Sequence, residues 1–365
     1  MISNLSDHKI VDAIDLDVPP QIVFLIAYVL PVFAFIGVTF NILILIFLPR
    51  NSVLLSQTTK TYYLIIALGD LSSILSFNIC LVFLDESLSY LTNDEFSIDL
   101  TDSELGCKII YNAWTNSESL ANYTAIAMAI EQIIALYFPL KARVILNKKI
   151  TFLLIISCVS PIWVILTIVN LRVVVIDTPG LGQDGQYCGY TIKDQWFLIS
   201  TYTQVVLAWC LPEILHIIGA TLICFKLFSL SAERKQLFQN FSTIQNDSSI
   251  KAREINATVI VLLVVFSRII IYFPVAVMTV YYYIINLYNY IDYINWSADD
   301  QLLIDKVRYI VTLGGITRMF LELTSITHSI NFCIYLYRVS SFRQALLSFC
   351  KCFNHNSQDD FAPKF

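Results

Sequence analysis

The stretch LLIISCVSPIWVILTIV, Leu153–Val169, is an apolar run without a charged side chain. Its length approaches the roughly 20 residues that an α-helix needs to cross the hydrocarbon core of a bilayer. The composition of the whole chain agrees, since 57% of its 365 residues are hydrophobic, 14% are charged and the mean hydropathy is +0.68. A soluble protein of this size needs more charge to cover its surface, so the sequence predicts a membrane protein.

Comparable runs recur along the chain and predict an all-α membrane protein, a seven-transmembrane helix bundle with a short amphipathic eighth helix. The predicted spans lie near 22–48, 61–84, 107–138, 151–171, 195–225, 255–288 and 307–337. The expected organisation is an N-terminal segment 1–21, the bundle over 22–337, the eighth helix over 338–352 and a tail over 353–365. A transporter is the alternative function from a different class of membrane protein. No internal repeat is visible, which disfavours a transporter built from inverted repeats.

The basic residues between the runs predict the orientation. Fifteen Lys and Arg residues lie in the segments after the first, third, fifth and seventh runs, and six lie on the opposite side. Because Lys and Arg mark the cytoplasmic side, we expect the N-terminus to be extracellular and the C-terminus cytoplasmic. That orientation requires an odd number of spans, and seven satisfies it.

The predicted outer surface is acidic, with eighteen Asp and Glu residues against six cations. One interpretation is simply a solvated surface. The other is a negative field that concentrates cationic ligands at the mouth of a pocket. Seven of the acids crowd the loop between the second and third runs: Asp85, Glu86, Asp94, Glu95, Asp99, Asp102 and Glu104.

Two kinds of modification are predicted on the outer side. Cys107 and Cys188 are the two cysteines that face this oxidising compartment, so we expect a disulfide between them. Among the Asn-x-Ser/Thr sites, Asn4 and Asn295 would meet the glycosylation machinery.

Two further cysteines follow the last run in the segment FRQALLSFCKCF. Cys350 and Cys352 fit reversible palmitoylation of an amphipathic helix. The alternative is a pair of reduced cytoplasmic thiols. The histidines are isolated in the sequence, with no metal-ligand spacing and no nucleophile motif, so neither a metal, a cofactor nor an enzymatic activity is expected.

A series of short motifs, in order along the runs, carries a resemblance to a known family. The motifs are GVTFN ending at Asn41, LIIALGDL containing Asp70, EQI at 131–133, FPLKAR containing Pro139, Pro212, IYFP at 271–274 and NFCIY at 331–335. With this order and spacing the chain resembles the rhodopsin-like (class A) G-protein-coupled receptors, most of all the FMRFamide-type neuropeptide receptors of invertebrates. The resemblance implies a plasma-membrane receptor for an extracellular peptide ligand, with a heterotrimeric G protein and membrane lipid as partners and no role for nucleic acid.

The third predicted helix departs from this family where the family couples to its G protein. A carboxylate such as Glu131 would hold an adjacent arginine in the resting state, but Gln132 stands in the arginine position. Glutamine cannot form that ion pair and reaches less far. The alternative function is therefore a chemosensory or decoy seven-helix receptor with weak or absent G-protein coupling.

The resemblance also implies the residues of a ligand pocket. Trp114 stands where amine receptors have an aspartate, and Glu118 lies one turn deeper on the same helix face. Tyr272 replaces a tryptophan of the pocket floor. We expect these three residues to contact a cationic neuropeptide, with the alternative that Glu118 only bonds a neighbouring helix.

Further expectations concern the switch region. Arg268 and Glu213 would face each other across the fifth and sixth helices, which makes them a candidate ion pair unless one or both snorkel or stay neutral. Asp70 is a weak sodium candidate, because Ala121 stands where relatives offer a serine. Two other predicted switch residues are Asn331 and Tyr335.

Overall fold

The computed structural model describes most of the chain outside its termini and several connecting segments. The described residues are 24–50, 56–92, 95–96, 98–101, 103–177, 186–189, 195–240, 248–293 and 301–338, together with Arg343 and Leu347. The predicted modification sites Asn4, Asn295, Cys350 and Cys352 lie outside them, as do the segment 1–21, the tail 353–365 and nearly all of the predicted eighth helix.

Seven long helices make up most of the described chain, and we label them α1 to α7. They are α1 Leu30–Arg50, α2 Gln57–Ser73, α3 Glu104–Tyr137, α4 Lys148–Asn170, α5 Leu211–Asn240, α6 Ser248–Tyr293 and α7 Gln301–Arg338. Three π-helical segments extend them: Leu25–Val29 before α1, Ile74–Ser87 after α2 and Val205–Cys210 before α5. Shorter helices are Leu88–Leu91, Pro139–Ile145 and Gln195–Gln204.

Side chains near the helix starts explain where several helices begin. The Ser56 hydroxyl accepts a hydrogen bond from the backbone N–H of Thr59 at the start of α2, and the Ser103 hydroxyl does the same for Gly106 at the start of α3. Each of these bonds satisfies a backbone donor that has no partner within its helix. The sequence therefore marks helix starts that hydropathy alone does not locate.

Six of the described helices are long and apolar enough to cross a membrane, which indicates a multi-pass membrane protein. Their bounds are Ala27–Pro49, Gln57–Leu84, Glu104–Tyr137, Lys148–Asn170, Tyr202–Leu230 and Thr258–Tyr282. Each overlaps one of the first six predicted spans. Helix α4, one of the two spans with the highest hydropathy, exposes Phe152, Leu153, Val164 and Ile168 on one side, as expected of a helix that faces lipid.

The helices pack into a closed arrangement with α3 at its centre. Along the perimeter, α1 contacts α2, α5 contacts α6, α6 contacts α7, and α7 returns to α1. Helix α3 contacts α2, α4, α5 and α6, and every residue from 121 to 129 is buried. A helix that is buried on all sides carries the polar residues that the interior can use.

Helices α2 and α3 approach each other closely at Gly69. A Cβ atom at this position would lie 2.9 Å from both the backbone nitrogen of Ala121 and the backbone oxygen of Ser117. Only glycine permits this contact between the backbones, which is the usual role of small residues between membrane helices. Gly69 thereby sets the position of its neighbour, Asp70.

Within the described residues, the departure from an all-helical chain is a small hairpin between α4 and α5. Strand β1, Val174–Asp177, pairs antiparallel with β2, Gln186–Gly189, with Val175 opposite Cys188. Strand β1 also contacts α3. The hairpin thus lies over the same end of the bundle as the start of α3.

Candidate functional site

The centre of the bundle contains a buried ion pair between α2 and α6. Nη2 of Arg268 lies 3.0 Å and 3.2 Å from the two carboxylate oxygens of Asp70. From α7, His328 Nδ1 lies 2.7 Å from Oδ1 and the Asn331 amide donates to Oδ2 at 2.7 Å. Both side chains of the ion pair are fully buried. Asp70 therefore joins α2 to both α6 and α7.

Arg268 has a second partner on α3. Its Nη1 donates to the side-chain oxygen of Asn122 at 2.6 Å. Its Nε has no hydrogen-bond partner, and the guanidinium carbon lies 6.0 Å from the ring centre of Tyr272, one turn further along α6. Through this one side chain, α6 is bonded to α2 and α3 together.

This geometry corrects the predicted pairing of Arg268 with Glu213. Glu213 Oε1 lies 3.3 Å from His216 Nδ1 on its own helix, and Glu213 Oε2 has no hydrogen-bond partner. Both charged residues are buried, but the rotation of α6 about its axis directs Arg268 toward α2 and α3. Sequence spacing places a residue on a helix face and does not fix which neighbour that face meets.

The sodium site predicted at Asp70 is not supported either. Both carboxylate oxygens already accept from protein donors, and the guanidinium of Arg268 supplies a positive charge beside them. An arginine carries its charge permanently and presents several donors in a fixed plane. In this protein the guanidinium of Arg268 therefore occupies the place beside Asp70 where a sodium ion was predicted.

Above this network, aromatic rings from several helices form a continuous layer. Trp114 stacks on Phe77 at 4.3 Å between ring centres and lies 6.4 Å from Trp209. Trp209 stacks on Tyr272 at 6.1 Å, and Tyr272 contacts the ring of His328 edge to face at 6.4 Å. We call Phe77, Trp114, Trp209 and Tyr272 the aromatic layer. It contains two of the three predicted ligand residues.

The third predicted ligand residue, Glu118, is buried next to this layer. It lies one turn from Trp114 on α3 and has 1% of its surface exposed. Neither carboxylate oxygen makes a hydrogen bond of regular geometry to a described residue, although the Tyr272 hydroxyl on α6 and the Trp114 indole are close enough to interact with the carboxylate. The alternative that Glu118 bonds a neighbouring helix therefore stays a prediction. Arg268 also lies within electrostatic range of the carboxylate.

An ionised carboxylate without a partner is costly in such a place. Removing a charge from water costs several kcal/mol unless hydrogen bonds or a counter-charge replace its hydration. Asp70 has both replacements, whereas Glu118 has no hydrogen bond of regular geometry and no described cation within ion-pair distance. Glu118 is therefore chemically suited to accept a cation or to hold a proton.

At the other end of α3, the structure gives Glu131 partners that the sequence did not predict. Its Oε2 accepts hydrogen bonds from the hydroxyl of Tyr62 on α2 at 2.8 Å and from that of Thr151 on α4 at 2.9 Å. The side-chain oxygen of Gln132 accepts from Thr258 on α6 at 3.4 Å. Thus Glu131 ties α3 to α2 and α4, while Gln132 makes a long bond to α6.

The remaining predicted switch residues lie in two places. Pro139 is the first residue of the short helix Pro139–Ile145, on which Leu140 is 81% exposed. Tyr335 is fully buried, with its ring centre 4.6 Å from that of Tyr63. Tyr335 is therefore packed inside the bundle, whereas the short helix Pro139–Ile145 exposes an apolar side chain at its surface.

Two residues of the central network were missed by sequence reasoning. His328 was regarded as isolated, yet it bonds Asp70, and its own backbone oxygen accepts from the Asn41 amide at 3.0 Å. Asn122 was not considered, although it lies four residues after Glu118 on the same face of α3. A tally of polar residues at i, i+3 and i+4 from the predicted ones would have found both.

The N-terminal end of α3 carries a disulfide. Cys107 is fully buried and disulfide-bonded, while the described cysteines Cys80, Cys158, Cys210, Cys224 and Cys333 are free. The side chain of Cys188 lies outside the described residues, so the pairing with Cys188 remains a prediction. The contact between β1 and α3, together with the register of the hairpin, brings the backbone of Cys188 toward α3.

Some acids in the segment that leads into α3 have partners of their own. Asp99 accepts from both the backbone N–H and the hydroxyl of Thr101, each at 2.6 Å, and Glu104 pairs with Lys108 on the first turn of α3. Glu95, in contrast, is exposed. Part of the acidic loop is thus used for its own folding.

No protein-family model matches this chain, and no curated protein is similar enough to count as a relative. The chain's functional information is therefore in the central network, the aromatic layer and the two ends of α3. Among the described residues, no group of three or more His, Cys, Asp and Glu side chains is placed to hold a metal ion.

Proposed function

We propose that this protein is a plasma-membrane receptor of the rhodopsin-like G-protein-coupled class that binds a cationic extracellular peptide. In this proposal α7 is the seventh span and segment 338–352 is an eighth helix on the cytoplasmic face of the membrane. The support for α7 as a span is its packing, because it contacts both α1 and α6 and closes the bundle. Its Asn331 and His328 also bond the buried carboxylate of α2.

The observation that carries the proposal is the carboxylate of Glu118, buried next to the aromatic layer without a hydrogen bond of regular geometry. A ligand cation placed there would gain a direct ion pair, which Arg268 does not make because it is bonded to Asp70 and Asn122. The faces of Trp114 and Tyr272 would add cation–π contacts, each worth on the order of 2 kcal/mol when desolvated. An acid with aromatic neighbours inside a helix bundle suits an ammonium or guanidinium group.

Binding at this depth requires the aromatic layer to move. Trp114 is 8% exposed and Tyr272 only 1%, so the layer covers Glu118 in the present conformation. A peptide cation reaches the carboxylate only after the Trp114 and Trp209 rings change their positions. This rearrangement would couple ligand entry to the π-helical segment before α5, which holds Trp209, and to α6, which holds Tyr272.

The acidic outer surface would assist association rather than the bound state. Opposite charge on a surface raises the rate of encounter and loses its effect as salt increases, over a Debye length of about 8–10 Å. Glu95 is the suitable residue to test because it is exposed, whereas Asp99 is bonded within its own loop. Glu95→Gln is expected to slow association and leave dissociation unchanged.

The test begins with a library of synthetic peptides of graded net charge, screened for binding to the purified protein in lipid nanodiscs. Glu118→Gln keeps the shape and removes the charge, and it should weaken the best cationic peptide by roughly tenfold or more, mainly through faster dissociation. The matched control is Glu213→Gln, which neutralises another buried carboxylate that pairs with His216. If the best peptide is neutral or acidic and its affinity is equal in all three proteins, the proposal is wrong.

A chemosensory or decoy receptor is the second candidate, and the cytoplasmic end of α3 favours it. Glu131 is already engaged by Tyr62 and Thr151, and Gln132 offers no charge to a G protein. Ligand-driven activation measured across all G-protein classes separates the two candidates. Binding without activation in any class would support the decoy.

A further inference from the structure

We propose that Arg268 is a latch that holds α6 in its resting position from the centre of the bundle. The guanidinium bonds Asp70 on α2 and Asn122 on α3 at distances from 2.6 to 3.2 Å. Its side chain is the largest of those that are fully buried among the described residues. Charge-assisted hydrogen bonds of this kind are about twice as strong as neutral ones.

Near the start of α6, one of the described hydrogen bonds to α3 is long. It joins the Thr258 hydroxyl to the Gln132 side-chain oxygen at 3.4 Å, near the upper limit for a hydrogen bond. The nearby acid Glu131 bonds α2 and α4. The charge-assisted bonds of Arg268, in contrast, lie in the middle of the bundle, ten residues further along α6 than Thr258.

Releasing Arg268 is difficult while its surroundings stay closed. A guanidinium that leaves Asp70 remains buried, and it leaves the carboxylate with only His328 and Asn331 as partners. Breaking one side of a buried ion pair is strongly destabilising for this reason. An element held in this way has two discrete states rather than a gradual motion.

The latch is also next to the site where we propose that the ligand binds. Tyr272 belongs to the aromatic layer, lies one turn from Arg268 on α6, and has its ring centre 6.0 Å from the guanidinium carbon. A ligand that displaces the Tyr272 ring changes the surroundings of Arg268 directly. This link to the ligand rests on the proposed function, whereas the mechanical role of Arg268 does not.

The mechanical role is tested by hydrogen–deuterium exchange of the purified protein in nanodiscs. In Arg268→Met, amide exchange over residues 251–262 of α6 should rise by about tenfold or more, while residues 148–170 of α4 keep the wild-type rate. Thr221→Val is the matched control, since Thr221 bonds its own helix at Ile217 on an exposed face of α5. Exchange over 251–262 should be unchanged in this control.

Two other variants keep the proposal testable if Arg268→Met does not fold. Asn122→Ala removes one of the latch bonds and leaves Asp70 paired, so a smaller, local increase over 251–262 is expected. Gln132→Ala removes the contact with Thr258 instead and should increase exchange less than Asn122→Ala does. The latch is refuted if Gln132→Ala opens this segment more than Asn122→Ala, if the latch variants raise exchange equally in α4, or if they leave α6 unchanged.

Basal G-protein activation provides the second readout. If the protein couples to a G protein, Arg268→Met should signal without ligand more than the wild type does. Increased exchange over 251–262 without signalling in any G-protein class would support the latch and contradict the G-protein proposal. Unchanged exchange in Arg268→Met together with normal ligand-driven signalling would contradict the latch and support the G-protein proposal.

Discussion

Substituting alanine for Gly69 tests the closest helix contact in the bundle. The new Cβ would lie 2.9 Å from a backbone nitrogen and from a backbone oxygen of α3, which is well inside van der Waals contact. Backbone atoms cannot rotate away as a side chain can, so α2 and α3 must separate. Overpacking of this kind typically costs about 1–3 kcal/mol.

The alanine also has an intrinsic effect, because alanine is favoured over glycine in a helix by roughly 1 kcal/mol. Gly219→Ala on α5 is the control for this term. Its Cβ would lie 3.4 Å from the Ala129 Cβ, an ordinary contact. Because the gain in helix propensity is common to both variants, the difference between their free energies of unfolding isolates the contact between α2 and α3.

We therefore expect Gly69→Ala to be less stable than Gly219→Ala by about 1–3 kcal/mol, a difference in Tm of roughly 1–4 °C for a chain of this length. The measurement is thermal unfolding of both purified proteins in the same detergent, followed by the intrinsic fluorescence of the tryptophans, two of which, Trp114 and Trp209, are buried. Equal Tm values for the two variants would show that α2 and α3 are not in backbone contact at Gly69.

Three further predictions follow from the disulfide, the end of α3 and the central ion pair. Cys107→Ser should lower surface expression or ligand affinity, because it releases the N-terminal end of α3. Peptide mapping of the wild-type protein under non-reducing conditions that finds Cys107 free would contradict this. Gln132→Arg places a guanidinium beside Glu131 and should change basal or ligand-driven signalling; identical signals across all G-protein classes would show that the position does not limit coupling. The Tm of the wild type should be equal in sodium chloride and choline chloride, because Arg268 is already the counter-charge of Asp70. The Tm of Arg268→Met should be higher in sodium chloride than in choline chloride. A wild-type Tm that depends on sodium would argue against Arg268 as the counter-charge.

The sequence was informative about the helices because a membrane span has a fixed length and must be apolar. Each of the first six predicted spans coincides with a membrane-capable helix. The helices nevertheless extend past the apolar runs, as α6 does from Ser248 to Tyr293, because helical hydrogen bonding continues where the hydrocarbon ends. Hydropathy therefore predicts which part of a helix lies in the hydrocarbon, and it does not predict where the helix begins or ends.

The partners inside the bundle were harder to predict. The sequence indicated that Asp70, Glu118, Glu213 and Arg268 were intramembrane charges, and the structure places all four in the interior. It did not show that Arg268 bonds Asp70, because that choice depends on the rotation of each helix about its axis. The long π-helical segment Ile74–Ser87 is equally absent from the apolar pattern, since a wider helical turn leaves the composition unchanged.

The ion pair of Asp70 and Arg268 has a consequence for how the chain is made. The two residues are 198 positions apart, so Asp70 enters the bilayer long before its partner exists. At a synthesis rate of about 5–20 residues per second, the interval is roughly 10–40 s. His328 and Asn331 are translated later still. During that time α2 carries an acid that only a proton, water or the insertion machinery can accommodate. Insertion of α6 and α7 then supplies the protein partners that stabilise this acid in the membrane.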